Sequence, residues 1–349
     1  MSNNKRPISP IEKVGMFMVF LSLFFLLWKP AAIGGLFSAM FAKAAPIVLN
    51  VYVAGPIGAA IIISVALGRI LERLGFTDAL MRIFVPLMRY IGVNAAIAIP
   101  SIYNILGDVN AAGRIAGPIL QKAGATKDEQ KIAVATMMQN PSSFSILVFG
   151  IIAMANAKVS AFPIIILGVF LPVVLVPLIL KLTIWRDTKP VNLEDMPTFT
   201  PSNPFLSTIF SAGREGAEVL YLLIVPACAI VFAFLGMLDY WGLYKPLESA
   251  LSSLMIMCNI HPETGVVAIF AGGTLALAQI KDIAANIPPA QVVGLFILAS
   301  SSPLQVIFGQ IPAVWSGCSD LNEREAMIAA IIGAVIKLLT AAAFAWVMY

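Results

Sequence analysis

Charged side chains are scarce in this chain. Only 11% of its 349 residues are Asp, Glu, Lys or Arg, whereas 60% are hydrophobic, and the mean hydropathy is +0.93. Soluble domains carry about 25% charged residues, so this composition excludes an ordinary soluble protein. Charge-free runs that are long enough to cross a bilayer recur along the sequence, and the longest covers 283–319. The sequence therefore predicts an all-α polytopic membrane protein.

Residues that build metal centres, disulfides and nucleotide sites are also scarce. The three cysteines, Cys228, Cys258 and Cys318, have no CxxC spacing, and His261 is the single histidine. That pattern favours neither a disulfide framework nor a metal site. The sequence contains no HExxH motif and no GxxxxGK[ST] nucleotide loop. We therefore expect a non-enzyme with no catalytic residues, no bound metal and no cofactor apart from a coupling ion.

Apolar segments of membrane-spanning length define the predicted topology. Seven such spans lie at 14–28, 46–68, 131–155, 159–181, 217–238, 289–311 and 326–348. Two further apolar segments, 94–121 and 262–281, are interrupted by polar or glycine-rich residues at 104–108 and 272–274. We interpret both as re-entrant hairpins, whose irregular tips must be covered by protein. Basic residues precede the first span and no small-residue cleavage site follows it, so we expect this helix to be retained.

The distribution of basic residues orients these spans. With a cytoplasmic N-terminus and non-crossing hairpins, sixteen basic residues fall on the cytoplasmic side; Lys29, Lys43, Lys158, Lys245 and Lys281 fall outside, and Lys337 lies within the last span. This excess agrees with the positive-inside rule. The predicted location is the cell inner membrane.

Two polar, proline-broken stretches interrupt the spans at matching places in the two halves. The first, QNPSSFS, covers 139–145, and the second, SSSPLQ, covers 300–305. In hydrocarbon, each unpaired backbone group costs several kcal/mol, so such breaks persist only where protein or a cavity surrounds them. A pair of interrupted segments in corresponding positions indicates a transporter binding site.

The two halves also align at a shift of about 160 residues, which places the two breaks opposite each other. In this alignment Phe84 corresponds to Tyr244, and both begin an amphipathic stretch; Phe149 corresponds to Phe308. Each half then contains a span, an amphipathic helix, a hairpin, a broken span and a span. Three crossings per half predict two inverted-topology repeats, the arrangement that underlies alternating access. The predicted divisions are 1–45 (tail and extra helix), 46–182 (first repeat), 183–213 (cytoplasmic linker and amphipathic segment) and 214–349 (second repeat).

This order of elements resembles the nucleoside-recognition gate-domain family, which is related in architecture to concentrative nucleoside transporters and to the membrane part of bacterial ferrous-iron transporters. The resemblance covers 46–348 and rests on segment 94–121, on the break around Asn140 and Pro141, and on the paired elements of the second half. It implies hairpins and broken helices that meet at a central site. The chain lacks the GTPase motif of the iron-transporter arrangement, which makes iron a less favoured cargo.

Polar residues of the first hairpin and of the two breaks are the candidate site residues. We predict that the solute contacts Asn104, Asp108, Asn110, Gln139, Asn140, Ser142, Ser143, Ser301, Ser302 and Gln305. A carboxylate at membrane depth is costly, so Asp108 is also the candidate for binding a coupling Na⁺ or H⁺. A simpler interpretation keeps Asp108 as a helix N-cap, and the first break as a proline kink repaired by serine hydroxyls.

The sequence therefore favours a secondary transporter, or symporter, for a small polar solute that is nucleoside-like or otherwise uncharged or zwitterionic. Its expected partners are the solute and the lipid bilayer, without nucleic acid, and a homo-oligomer is compatible with the sequence. The alternatives are a sensing or assembly protein that keeps the gate fold without net transport, and a transporter of metal ions or siderophores. An intramembrane protease or lipid transferase lacks its motifs here.

Overall fold

The computed structural model describes residues 8–191, 198–300 and 304–347, and these residues form helices without any strand. We number the helices in chain order. They are α1 Pro10–Trp28, α2 Pro30–Val53, α3 Pro56–Arg73, α4 Phe76–Tyr90, α5 Ala95–Leu106, α6 Val109–Lys122, α7 Lys127–Met137, α8 Phe144–Asn156, α9 Ala161–Thr183, α10 Phe205–Tyr240, α11 Tyr244–Met257, α12 Pro262–Phe270, α13 Gly273–Ile283, α14 Pro289–Ala299, α15 Val306–Cys318 and α16 Glu323–Val347.

Long apolar helices confirm the prediction of an all-α polytopic membrane protein. Among the described residues, five helices are long and apolar enough to cross a membrane: α1, α2, α9, α10 and α16. Shorter apolar helices, such as α8 and α14, belong to the interrupted spans. Helices α11 and α12 are bent by 118° at the residues between them, as expected where a chain enters a hairpin.

The sequence prediction of a single span at 46–68 is wrong. Helix α2 continues to Val53, and α3 begins at Pro56, so that segment is divided between two helices. Pro56 has no amide hydrogen to donate to α2, and it disfavours a helical backbone at the residue before it. Gly55 is accordingly extended, with φ −88° and ψ 164°.

Helix α2, most of which precedes the predicted first repeat, packs along α10. An ideal Cβ on Gly236 of α10 would come within 2.5 Å of the Ala39 carbonyl oxygen, so the two backbones are in close contact. Near the end of this contact, Lys43 Nζ lies 3.8 Å from an Asp239 carboxylate oxygen and 4.2 Å from the centre of the Tyr244 ring. The α1 helix, in contrast, buries none of its residues.

The remaining helices repeat one order of elements in both halves, as predicted. Each half has a long helix (α3, α10), an amphipathic helix (α4, α11), a helical hairpin (α5–α6, α12–α13), a broken helix (α7–α8, α14–α15) and a final long helix (α9, α16). The residue match of Phe84 with Tyr244 is wrong, since Tyr244 begins α11 whereas Phe84 lies well inside α4. The alignment relied on the proline that lies two residues after each of them. In the first half this proline, Pro86, lies inside α4 and does not mark the beginning of the helix.

The broken helices run in opposite directions. Helix α7 is parallel to α16, since Lys127 Nζ lies 3.2 Å from Glu325 at their beginnings and Gly333 packs on Ala135 further along. Helix α14 is antiparallel to α16, because Gly294 packs near Ala341 and Ala345, whereas Leu298, later in α14, shares a cavity lining with Leu338, earlier in α16. The two broken helices meet at their breaks, where the Ser142 amide donates a hydrogen bond of 2.8 Å to the Ser300 carbonyl. This is the geometry that inverted repeats require.

Each hairpin packs against the broken helix of the other repeat. In the first hairpin, Gly113 of α6 contacts Trp315 of α15 so closely that an added Cβ would lie 3.0 Å from the indole nitrogen. In the second hairpin, the Thr274 hydroxyl of α13 lies 3.1 Å from the Ser145 hydroxyl of α8. Further along this pair, the Asn156 amide donates to the Lys281 carbonyl at 2.8 Å. These crossed contacts bring the tips of both hairpins to the two breaks.

The segment after α9 is hydrogen-bonded to α4. The Asp78 carboxylate accepts hydrogen bonds from the Phe199 amide at 2.8 Å and from the Thr200 amide at 3.0 Å. Burial alone would raise the pKa of the Asp78 carboxyl, but the hydrogen bonds from Thr200 and Phe199 lower that pKa below its ordinary value. The amphipathic part of the predicted linker 183–213 forms the beginning of α10, which starts at Phe205.

Candidate functional site at the meeting of hairpins and breaks

A pocket with a cavity volume of about 110 Å³ lies where the two hairpin tips meet the two breaks. Its polar lining comes from the first residues of α6 and α13 and from the residues at which α8 and α15 begin. The predicted site residues that line it are Asp108, Asn110, Ser142, Ser143 and Gln305. An apolar wall of α10, from Val219 to Cys228, closes one side.

Asp108 lies at the pocket and also caps a helix. Its side chain lines the pocket, and its Oδ1 accepts hydrogen bonds from the amides of Asn110 at 2.7 Å and Ala111 at 3.0 Å. Asp108 is therefore the N-cap of α6, the position in which Asp and Asn are favoured. The first hairpin turns here because Gly107 ends α5 and the capped α6 begins immediately afterwards.

The tip of the second hairpin has glycine in place of an acidic cap. Gly272 has φ +116°, a backbone conformation that side chains other than glycine rarely adopt. The next residue, Gly273, approaches the end of α14 so closely that an added Cβ would lie 1.9 Å from the Ala299 carbonyl oxygen. Glycine is therefore required at both positions for this tip to reach the second break.

Hydroxyl groups connect the first break to the second hairpin. Ser143 Oγ lies 2.7 Å from Ser145 Oγ, which in turn lies 3.1 Å from the Thr274 hydroxyl. Ser143 and Thr274 both line the pocket. At the second break, Gln305 lines the pocket, whereas the predicted residues Ser301 and Ser302 lie outside the described residues.

Three predicted site residues, Asn104, Gln139 and Asn140, do not line the pocket, and all three are fully buried. They lie around the end of α7, on the N-terminal side of Pro141. The Asn104 amide donates to the Met137 carbonyl at 3.4 Å, and the Gln139 amide donates to Ala135 and Gly333 carbonyls at 3.0 and 2.9 Å. These side chains bind carbonyls at a helix end, whereas the residues that follow Pro141 face the pocket. The structure therefore does not place these three residues at the pocket, and their contact with solute stays a prediction.

Two side chains of the pocket, and a buried lysine beside the first break, were not among the predicted site residues. Tyr52 of α2 and Cys228 of α10 line the pocket together, and the thiol donates to the tyrosine hydroxyl at 3.5 Å. Tyr52 lies in an otherwise apolar span, where a single aromatic residue gives no signal of its own. Lys337 is fully buried in α16, and its ammonium donates to the Gln139 carbonyl. A lysine in the middle of a predicted span was a signal, since intramembrane charges mark functional positions.

No group of three His, Cys, Asp or Glu side chains lies close enough to hold a metal ion within the described ranges. Asp108 is the single carboxylate that lines the pocket in the part of the chain that the structure describes.

One solved structure is similar to this chain over nearly its whole length. It is CNTnw, a concentrative nucleoside transporter, in an inward-facing substrate-bound state, and the match has a TM-score of 0.59 and 15% sequence identity. The match covers 97% of this chain and 86% of CNTnw. At this identity the likeness shows a shared fold. No protein-family model matches the sequence, and no curated protein matches it.

Proposed function

We propose that this chain is a secondary transporter that moves a small polar organic solute across the cell inner membrane by alternating access, with its N-terminus in the cytoplasm. The observation that carries the proposal is the convergence of two hairpin tips and two broken helices on one polar pocket. Broken helices of inverted repeats form the substrate sites of secondary transporters near the bilayer midplane. The CNTnw fold, solved in a substrate-bound state, supports the same assignment.

The electrostatics of the pocket favour a solute that is rich in hydrogen-bond acceptors. Part of its polar lining comes from the N-terminal ends of α6, α8 and α13, where the helix dipole places roughly +0.5 of a charge. Gln305 adds a neutral amide from the second break. Electron-rich groups, such as carbonyl oxygens, ring nitrogens or a carboxylate, are stabilised at such ends. Asp108 supplies a compensating negative charge, so a nucleoside-like or zwitterionic solute fits better than a multiply charged anion.

In this proposal, the resemblance to the gate-domain family reflects a shared transport function, and Asp108 binds the coupling Na⁺ or H⁺. The pocket residues Asn110, Ser142, Ser143 and Gln305 then provide neutral donors and acceptors to the solute. Ser301 and Ser302 complete the second break in this proposal.

Solute binding to the purified protein tests the proposal first. Nucleosides, nucleobases, amino acids, siderophores and metal ions are screened for a rise in the melting midpoint of the detergent-solubilised protein, because a ligand that binds the folded form stabilises it by mass action. We expect a nucleoside or a similar acceptor-rich solute to raise the midpoint. The same solute should then accumulate in proteoliposomes when a Na⁺ or proton gradient is imposed.

The alternatives predict different outcomes of the same two measurements. Binding without uptake would indicate a sensing or assembly protein, and stabilisation by metal ions or siderophores alone would indicate that class of cargo. Hydrolysis of a bound compound by the purified protein would contradict a non-enzymatic role. Absence of both binding and uptake across the solute panel would contradict the proposal.

A further inference from the structure

Lys337 occupies an unusual position for a charged residue. It lies within α16, a membrane-spanning helix, and only 1% of its surface is exposed. Within the described ranges it forms no ion pair, so no carboxylate neutralises its charge. An uncompensated ammonium at membrane depth is energetically costly. A group retained at that cost requires a local source of negative potential.

The C-terminal end of α7 provides that potential. A helix C-terminus carries roughly −0.5 of a charge, because its last carbonyls have no partner within the helix. Helix α7 ends here instead of continuing, since Pro141 follows. The Lys337 ammonium donates to the Gln139 carbonyl, just beyond that end. Nothing charged other than Lys337 contacts this end of α7 among the described residues.

The packing of α16 on α7 places the ammonium there. Gly333 lies against Ala135, where an added Cβ would come within 2.7 Å of the carbonyl oxygen, so the two helices are in close contact. Lys337 follows Gly333 by one helical turn and therefore lies on the same face of α16. Because the two helices are parallel, this face of α16 continues beyond the end of α7. The ion pair between Lys127 and Glu325 connects the beginnings of the two helices.

The oxygen atoms around this end are of the kind that bind small hard cations. Besides the Gln139 carbonyl, Gln139 Oε1 and Asn104 Oδ1 are buried and accept no hydrogen bond from any described residue. Backbone and amide oxygens are ligands of hard cations such as Na⁺. Lys337 also lines a cavity of about 270 Å³ whose other lining residues, such as Leu298 and Ile307, are apolar, so that cavity supplies no competing ligands.

We propose that the Lys337 ammonium is a built-in cation that fills, at the end of α7, a carbonyl and amide site that would otherwise take Na⁺. The protein's own ammonium group then neutralises the first break, which needs no Na⁺ at this position to keep its shape. The consequence for transport rests on the proposed function: any coupling ion acts at the pocket, through Asp108, and not at this end of α7. The proposal itself does not depend on which solute is moved.

The test compares the thermal stability of variants in Na⁺ and in choline at matched ionic strength. The wild-type protein should have the same melting midpoint in both salts when no solute is added. Lys337→Met, which is one atom shorter and has no charge, should have a lower midpoint in choline. Added Na⁺ should raise that midpoint in a concentration-dependent manner, because Na⁺ then binds to the folded form.

Lys181→Met is the matched control. Lys181 also donates to carbonyls at a helix end, those of Ile91 and Gly92 at 3.0 and 2.7 Å, but it is partly accessible to solvent. Water can replace its ammonium, so its midpoint should not depend on Na⁺. Lys337→Arg retains a positive charge and should also be insensitive to Na⁺.

Several outcomes would overturn the proposal. One is a wild-type protein that Na⁺ stabilises more than choline does in the absence of solute. Another is a Lys337→Met protein that is as stable as the wild type, or that is destabilised without any response to Na⁺. If Lys337→Met does not fold, Lys337→Gln is measured in the same way, and folding of the Arg variant alone supports the need for a charge. Because none of these measurements uses a solute, failure here is distinct from failure of the transport assay.

Discussion

Asp108 can be tested by separating its charge from its capping role. In Asp108→Asn the side-chain oxygen remains, and Asn is as good an N-cap as Asp. Its hydrogen bonds with the amides of Asn110 and Ala111, at 2.7 and 3.0 Å, are therefore retained. We expect the free energy of unfolding to change by only a few tenths of a kcal/mol. Uptake against a gradient in proteoliposomes should be lost, since the pocket no longer holds a carboxylate. In Asp108→Ala the cap is lost as well, which costs about 1 kcal/mol.

Asn322→Ala is the control for the loss of a cap alone. Asn322 Oδ1 accepts a hydrogen bond of 2.9 Å from the Glu325 amide at the beginning of α16, and Asn322 does not line the pocket. This variant should lose about 1 kcal/mol of stability while uptake continues. The reasoning is refuted if Asp108→Asn accumulates solute as the wild type does, because Asp108 is then a cap without a role in coupling.

Two further predictions concern the second hairpin and the ends of the helices. Gly273→Ala should lose about 1–3 kcal/mol of stability and most solute binding, because its Cβ would lie 1.9 Å from the Ala299 carbonyl oxygen. Gly317→Ala is the control, since a Cβ at Gly317 would meet no atom within 4 Å. Normal solute binding by Gly273→Ala would contradict the close packing of this hairpin tip. Hydrogen bonds from Gln130 and Gln121 lower the pKa of Asp320, so the stability that they contribute is complete above its unfolded pKa of about 3.9 and is lost as the pH falls through the folded value. Acid titration of the melting midpoint should therefore converge for wild type and Asp320→Asn; a constant difference at all pH values would contradict this.

The order of elements could be predicted because it depends on coarse patterns. Apolar length defined the spans, glycine and asparagine marked the hairpin tips, and Pro141 with its serine neighbours marked the first break. The boundary at Gly55 was missed, because the apolar run is continuous across it and only the geometry of Pro56 ends the helix. The equivalence of Phe84 with Tyr244 failed since short apolar strings carry little positional information.

The site could be predicted only in part, because a break has two ends and the sequence does not distinguish them. Asn140 and Ser142 flank the same proline, yet one is buried at the end of α7 and the other lines the pocket. Tyr52 and Cys228 come from α2 and α10, and only the packing of these helices brings them to the hairpin tips. Likewise, the position of Lys337 depends on the close contact at Gly333, which no single-residue pattern encodes.

The attachment of α2 to α10 makes the two halves of the molecule unequal. This helix ends before Gly55 and adds Tyr52 to one wall of the pocket, whereas α10 passes the pocket without a break. In a perfectly duplicated transporter, the outward-open and inward-open arrangements would exchange equivalent contacts and have similar energies. A wall that is divided in one half and continuous in the other removes that degeneracy, so in the empty protein one arrangement is more populated than the other. The proposed transporter therefore has a preferred resting orientation before any solute or ion gradient acts on it.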